Sequence, residues 1–218
     1  GIVRTVKVDE ARFQGARRVE NMALNNYASS EWIKFGNGYD SIDASGFALF
    51  SNTAPGERNF IYDNIPFIVG HEYVLRAEFI DVSTDFDDTC LAFSGVGLAT
   101  IPGYNTAKAV SAGSAVYAVG MRSTSDATKS IRIGIGCAGA GTTVGSMKIG
   151  RVMLEDVTGQ SNTAPSDFLD ETKSYGANVT GVKYFDTTNG NSVLSGVVTE
   201  AAGTALTTLD GILIEEES

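Results

Sequence analysis

The chain has 218 residues, 43% of them hydrophobic and 19% charged, which excludes a disordered polymer and allows one large β domain or a medium domain with a smaller one. Its 26 acidic against 16 basic residues give a net charge of −10, so phosphate backbones and anionic bilayers are repelled and neither nucleic acid nor a membrane is an expected partner. No apolar run is long enough to cross a bilayer, no signal-peptide layout opens the chain, and the start on Gly1 without an initiator Met leads us to expect a boundary inside a larger protein.

Residues 1–20 mix both charges (Arg4, Lys7, Asp9, Glu10, Arg17, Arg18, Glu20) and read as a lead-in strand or linker. Short β-type runs follow. The run 46–50 ends in the turn cluster Ser51-Asn52-Thr53-Ala54-Pro55-Gly56, and 59–63 is a second strand. From His71 to Ile80 apolar Tyr73, Leu75, Ala77 and Phe79 alternate with Glu72, Arg76 and Glu78. That period of two predicts a long, half-buried strand central to its sheet.

Further strands are expected at 91–97, 115–121, 131–137 and 147–154. In the third, Ile131, Ile133, Ile135 and Cys137 fall on one face. In the last, Met147, Ile149, Arg151 and Met153 alternate against Lys148, Gly150, Val152 and Leu154. No segment has a capped helical period. The pattern predicts an all-β, antiparallel sandwich over 21–160. Beyond the linker 161–166, the run 182–185 and the run 193–198 flank Asn189-Gly190, the strongest hairpin signal in the chain. Residues 161–218 therefore predict a short β-hairpin connector, too small to bury its own core, which needs an outside surface: the sandwich, a neighbouring unit, or copies of itself around a threefold axis.

The order of elements resembles the carbohydrate-binding-module-like jelly rolls (galactose-binding-like sandwiches) of phage tail-fibre and virion structural proteins. The resemblance rests on Asn21-Met22-Ala23-Leu24-Asn25-Asn26-Tyr27 followed by Trp32, on Gly70-His71-Glu72-Tyr73 leading into the long strand, and on a closing strand that ends in Leu154-Glu155. Arg17-Arg18-Val19-Glu20-Asn21 and Gly181-Val182-Lys183-Tyr184-Phe185-Asp186 look like stretches of such fibres. It implies a non-catalytic receptor-binding module made in the bacterial cytoplasm and carried on a phage tail or surface. Its partners would be a cell-surface glycan, neighbouring domains and copies of itself in a trimer. The alternative is a purely structural spacer. A polysaccharide-degrading enzyme is the least favoured reading. Family members often hold a structural Ca²⁺ with an Asp in the last strand, where this chain has Gly150 beside Arg151.

The residues themselves give few chemical signals. The single His71 stands at a strand start, without a nucleophile motif, and reads as a surface residue. Cys90 and Cys137 lie in apolar runs and read as buried thiols in preference to a disulfide. Sugar binding needs exposed aromatic faces with polar groups beside them; Trp32, Tyr39, Tyr104, Tyr117 and Arg122 are the candidates, although an early Trp in a sandwich is commonly core. No cofactor is expected. Calcium has one candidate, the acidic stretch Asp81, Asp85, Asp87 and Asp88, which reads as a solvated acidic turn in preference to a metal site. Gly134, Gly136, Gly139 and Gly141 read as bends and close backbone approaches.

Overall fold

The computed structural model describes residues 16–23, 26–36, 38–63, 65–138, 141–159, 168 and 182–186, the runs 16–20 and 182–186 through their backbone alone. The strands are β1 (Ala16–Glu20), β2 (Ile33–Gly36), β3 (Ser41–Ile42), β4 (Ala48–Asn52), β5 (Arg58–Tyr62), β6 (Glu72–Val82), β7 (Phe86–Gly95), β8 (Leu98–Ala99), β9 (Ala107–Val110), β10 (Gly113–Ser123), β11 (Lys129–Ile135), β12 (Gly145–Asp156) and β13 (Val182–Asp186). No helix occurs among the described residues.

The chain divides into two units, one of Met22–Gly159 and one of Gly1–Asn21 with Gln160–Ser218. In the second unit β1 and β13 run antiparallel, Ala16 opposite Asp186 and Glu20 opposite Val182. The lead-in and the connector, which the sequence reading kept apart, thus share a ladder. The expected hairpin at Asn189-Gly190 lies outside the described residues.

The first unit is a sandwich of two antiparallel sheets. One has the order β3-β4-β12-β6-β10-β8, the other β2-β5-β11-β7-β9. From β4 to β12 every successive strand crosses to the opposite sheet, which is jelly-roll connectivity. The expected central strand is central: β6 lies between β12 and β10. Its Tyr73, Leu75, Ala77 and Phe79 are fully buried, as the alternation requires. Across the interior they meet the ring and branched side chains of the five-stranded sheet, among them Phe60, Leu91, Phe93, Ile131, Ile133 and Ile135.

Three expectations need correction. First, β12 does not alternate without interruption. One extra residue between Ile149 and Val152 forms a bulge, and inward parity passes from Met147 and Ile149 to Val152 and Leu154. Arg151 is left outside, ion-paired to Glu78 at 3.2 Å. Second, Cys137 is not on the β11 face. The strand ends at Ile135, and Gly136, with φ of 72°, turns the chain away. Third, the acidic stretch is no continuous loop. β6 runs to Val82 and β7 starts at Phe86, so Asp87 and Asp88 sit within a strand and face opposite ways. The short strands β2, β3, β8 and β9, of two to four residues, fell below what periodicity detects.

Phe60 tests this interior. It is fully buried, and replacing it with Ala removes a ring and leaves a cavity, so Phe60→Ala should lower unfolding free energy by about 3–5 kcal/mol. Urea unfolding followed by Trp32 fluorescence reads this directly; a loss under about 1 kcal/mol would mean the two sheets do not pack through this ring.

Candidate ligand-binding face

Ile33-Lys34-Phe35-Gly36 alternates, and the alternation decides which side chains face out. Lys34 stands opposite Phe60, while Ile33 and Phe35 stand opposite Ile61 and Asn59. Phe60 points into the core, so Ile33 and Phe35 lie on the outer face of the five-stranded sheet. There they are 46% and 43% exposed. Trp32, one residue earlier, is anchored inside against Phe60 and Tyr62 at ring separations of 5.6 and 5.0 Å.

The same face continues along the register. Ile61 pairs with Arg132, and Arg132 with Ala92; Asn59 pairs with Gly134. The Arg132 guanidinium carbon lies 5.5 Å from the centre of the Phe35 ring, within cation–π range. It reaches there diagonally from two strands away. Gly134 keeps the space beside Asn59 low, and it has to be glycine: its φ is 135° and an added Cβ would lie 2.5 Å from the Arg58 carbonyl oxygen. Arg132 Nη1 donates a long 3.4 Å hydrogen bond to the Cys137 carbonyl, while its buried Nε has no hydrogen-bond partner. Asn59, fully buried, donates from Nδ2 to the carbonyls of Ile135 and Gly136 at 3.4 Å, and its Oδ1 has no partner. The cross-strand pair Ser94 and Ser130 adds two hydroxyls to this face. The result is an exposed aromatic edge, a guanidinium lying over it, and a shallow floor of small residues.

The sugar-contact candidates read from sequence do not meet here. Trp32, 3% exposed, is a core residue and presents no face to a ligand, which corrects that assignment. Tyr39 is half-buried, its ring 5.0 Å from Phe60 and its face covered by the Lys34 ammonium at 3.9 Å. Tyr117 stands edge-on to Phe79, and its hydroxyl accepts the Ser111 amide at 2.9 Å. Tyr104 packs over Gly120, where an added Cβ would lie 2.8 Å from the Tyr104 Cβ; it joins Val74, Ile101 and Val157 on the outside of the six-stranded sheet. Arg122 pairs with Glu72 on that sheet. Two candidates therefore serve the six-stranded sheet's outer face and three the interior or its rim. Phe35 and Arg132 were not among the sequence candidates, and the Ile33-x-Phe35 run is too short for its alternation to mark a strand.

The calcium candidates separate as well. Asp81 pairs with Lys148 at 2.9 Å, Asp85 accepts the Ala112 amide at 2.8 Å, and Asp88 turns to Thr142 and Thr143. Among the described residues no three acids, cysteines or histidines come together to hold a metal. At Gly150 an added Cβ would lie 2.6 Å from Glu78 Oε2, and the Gly150 carbonyl accepts the Tyr27 hydroxyl at 2.7 Å, so this position is committed to packing. His71 Nδ1 lies 2.7 Å from Asp156 Oδ2 and tethers the start of β6 to the end of β12. Cys90 and Cys137 are free and buried. Burial, with Asp88 nearby, pushes the Cys90 thiol up to about 12; burial beside Cys90 raises Cys137 well above the usual thiol range. Neither is an activated nucleophile.

No protein-family model matches the chain, and no curated protein matches its sequence. Among solved structures it is similar to a CBM4 module: 16% identity, 58% of this chain and 94% of that one covered, TM-score 0.43. It is also similar to the second N-terminal cellulose-binding domain of Cellulomonas fimi β-1,4-glucanase C, at 17% identity, 63% and 94% coverage and a TM-score of 0.40. A third is the PbXyn10C CBM in its apo form, at 14%, 80% and 84%, with a TM-score of 0.31. Likeness at this level assigns no ligand and no site residue to this chain.

Asp88 supplies a test of the loop geometry around this sheet. Burial raises its carboxyl, but hydrogen bonds from the Thr143 and Thr142 amides and hydroxyls outweigh that, and the net position is below the ordinary 3.8. A depressed folded value means stability that is present above 3.8 and lost as pH falls through the folded value. Asp88→Asn should therefore cost about 1–2 kcal/mol at neutral pH. The gap to wild type should close in acid; a gap equally wide at pH 7 and at about pH 2 would reject the carboxylate's role.

Proposed function

We propose that the chain is a non-catalytic carbohydrate-binding module whose ligand lies on the outer face of the five-stranded sheet. The observation that carries this reading is Phe35, 43% exposed on β2, with the Arg132 guanidinium over its ring. A pyranose ring has an apolar C–H face and an equatorial rim of hydroxyls. Phe35 and Ile33 offer an apolar surface to the first. Arg132, Ser94 and Ser130 offer hydrogen-bonding groups to the second. The sequence resemblance to carbohydrate-binding-type jelly rolls supports the same reading, and on that resemblance we place the module on a phage tail or virion surface, attaching it to a host-cell glycan.

A second reading, a structural spacer between neighbouring domains, is favoured by the burial of Trp32 and the half-burial of Tyr39 and Tyr117, which leave few aromatic platforms. Affinity electrophoresis against soluble polysaccharides separates the two. Phe35→Ala should weaken glycan binding about tenfold or more while stability changes by less than about 0.5 kcal/mol, because the ring is exposed. Wild-type protein that migrates unretarded through every polysaccharide favours the spacer. Assembly through residues 161–218 is tested by the mass of the full chain in solution: we expect a trimer that deletion of 161–218 reduces to monomer, and a monomeric full-length chain rejects it.

A further inference from the structure

We infer that Arg132 makes this face select carboxylated sugars, a specificity that rests on the glycan-binding reading above. The other arginines with visible ion pairs are neutralised by the protein itself. Arg58 lies 2.7 Å from Asp40, Arg151 3.2 Å from Glu78, and Arg122 contacts Glu72. Arg132 has no carboxylate within ion-pair distance among the described residues. Its cross-strand neighbours on the outer face are Ile61 and Ala92, and the adjacent row holds Asn59 and Gly134; none is acidic. In a chain of net charge −10, an arginine with no ion-pair partner among the described residues stands out.

The guanidinium is also under-bonded. Of its donors, Nη1 makes only the 3.4 Å bond to the Cys137 carbonyl, and Nε makes none. The cation–π contact with Phe35, 5.5 Å from guanidinium carbon to ring centre, uses none of its N–H donors. A guanidinium presents a planar fork that matches a carboxylate through two parallel hydrogen bonds, and such bonds are stronger than those to a hydroxyl. A uronic acid residue packed against the exposed part of Phe35 would bring its carboxylate to that fork. The net negative charge opposes a polyanion at long range, while this contact acts at short range. Added salt screens the repulsion first, so the preference should survive moderate ionic strength.

The experiment compares oligogalacturonides with the same oligosaccharides after carboxyl reduction, by calorimetry on the full chain at about 50 and 300 mM salt. The probes also include mannuronate and guluronate oligomers. We expect wild type to bind at least one carboxylated series about tenfold or more tighter than its reduced counterpart at both salt concentrations. Arg132→Gln should abolish that preference, with the acidic and reduced forms bound alike and no tighter than wild type binds the reduced form; Arg132→Lys should recover only part of it, since a point charge lacks the fork. Phe35→Ala should lose both. Equal or tighter binding of the reduced sugars by wild type overturns the carboxylate selectivity and leaves the glycan reading standing. Preference unchanged in Arg132→Gln overturns the assignment to Arg132. Binding of neutral and acidic sugars both absent overturns the glycan reading and this inference with it. The wild-type comparison needs no mutant to fold, and thermal melting of each variant separates lost contact from lost structure.

Discussion

The arrangement depends on one buried ring. Phe60 on β5 touches four others: Tyr27 stacks on it at 5.3 Å, Trp32 and Tyr39 tilt against it at 5.6 and 5.0 Å, and Phe50 of the opposite sheet meets it edge-on at 5.3 Å. Offset and edge-on geometries are the favourable ones for aromatic pairs, and they specify orientation as well as burial. Three of the partners come from the stretch before β4, which has few strands of its own to position it. The cluster docks that stretch. Trp32 goes inward, and strand alternation then turns Ile33 and Phe35 outward. The exposed face is a by-product of the packing beneath it.

This explains what the sequence made legible. Long strands declare themselves because burial of one face imposes a period of two over many residues, and β6 does so over eleven. β11 shows it through three isoleucines that are all fully buried. In β12 the period is present on both sides of the bulge and misleading across it, since one inserted residue exchanges the two faces. No composition signal marks that insertion; it is visible only in the pairing of Ile149 with Phe79 and of Val152 with Ala77.

The site was harder to read because its chemistry is conferred by neighbours in space. Trp32 looked like a platform, as the largest aromatic near the start of a sandwich; size favours burial at least as much. Phe35 looked like one hydrophobic residue among many until β5 was placed beside it. The meaning of Arg132 comes from its lack of an ion-pair partner among the described residues and from the missing side chain at Gly134, and both depend on a register that links positions about seventy to a hundred residues apart. The acidic stretch shows the reverse case. Its carboxylates are close in sequence, yet Asp81, Asp85 and Asp88 each turn to a different partner, and Asp87 faces the opposite side of β7 from Asp88.

β2 stands at the end of its sheet with all four residues exposed. A sheet end carrying Ile33 and Phe35 is a template for another chain, and it would invite fibrous or amorphous association if it were longer. Its brevity and the Lys34 charge limit that hazard. The surface stickiness that lets a module grip something else is thus held close to the threshold at which it would grip itself. Variation that lengthens β2 or neutralises Lys34 would trade colloidal stability for contact area, so solubility as well as recognition constrains these four positions.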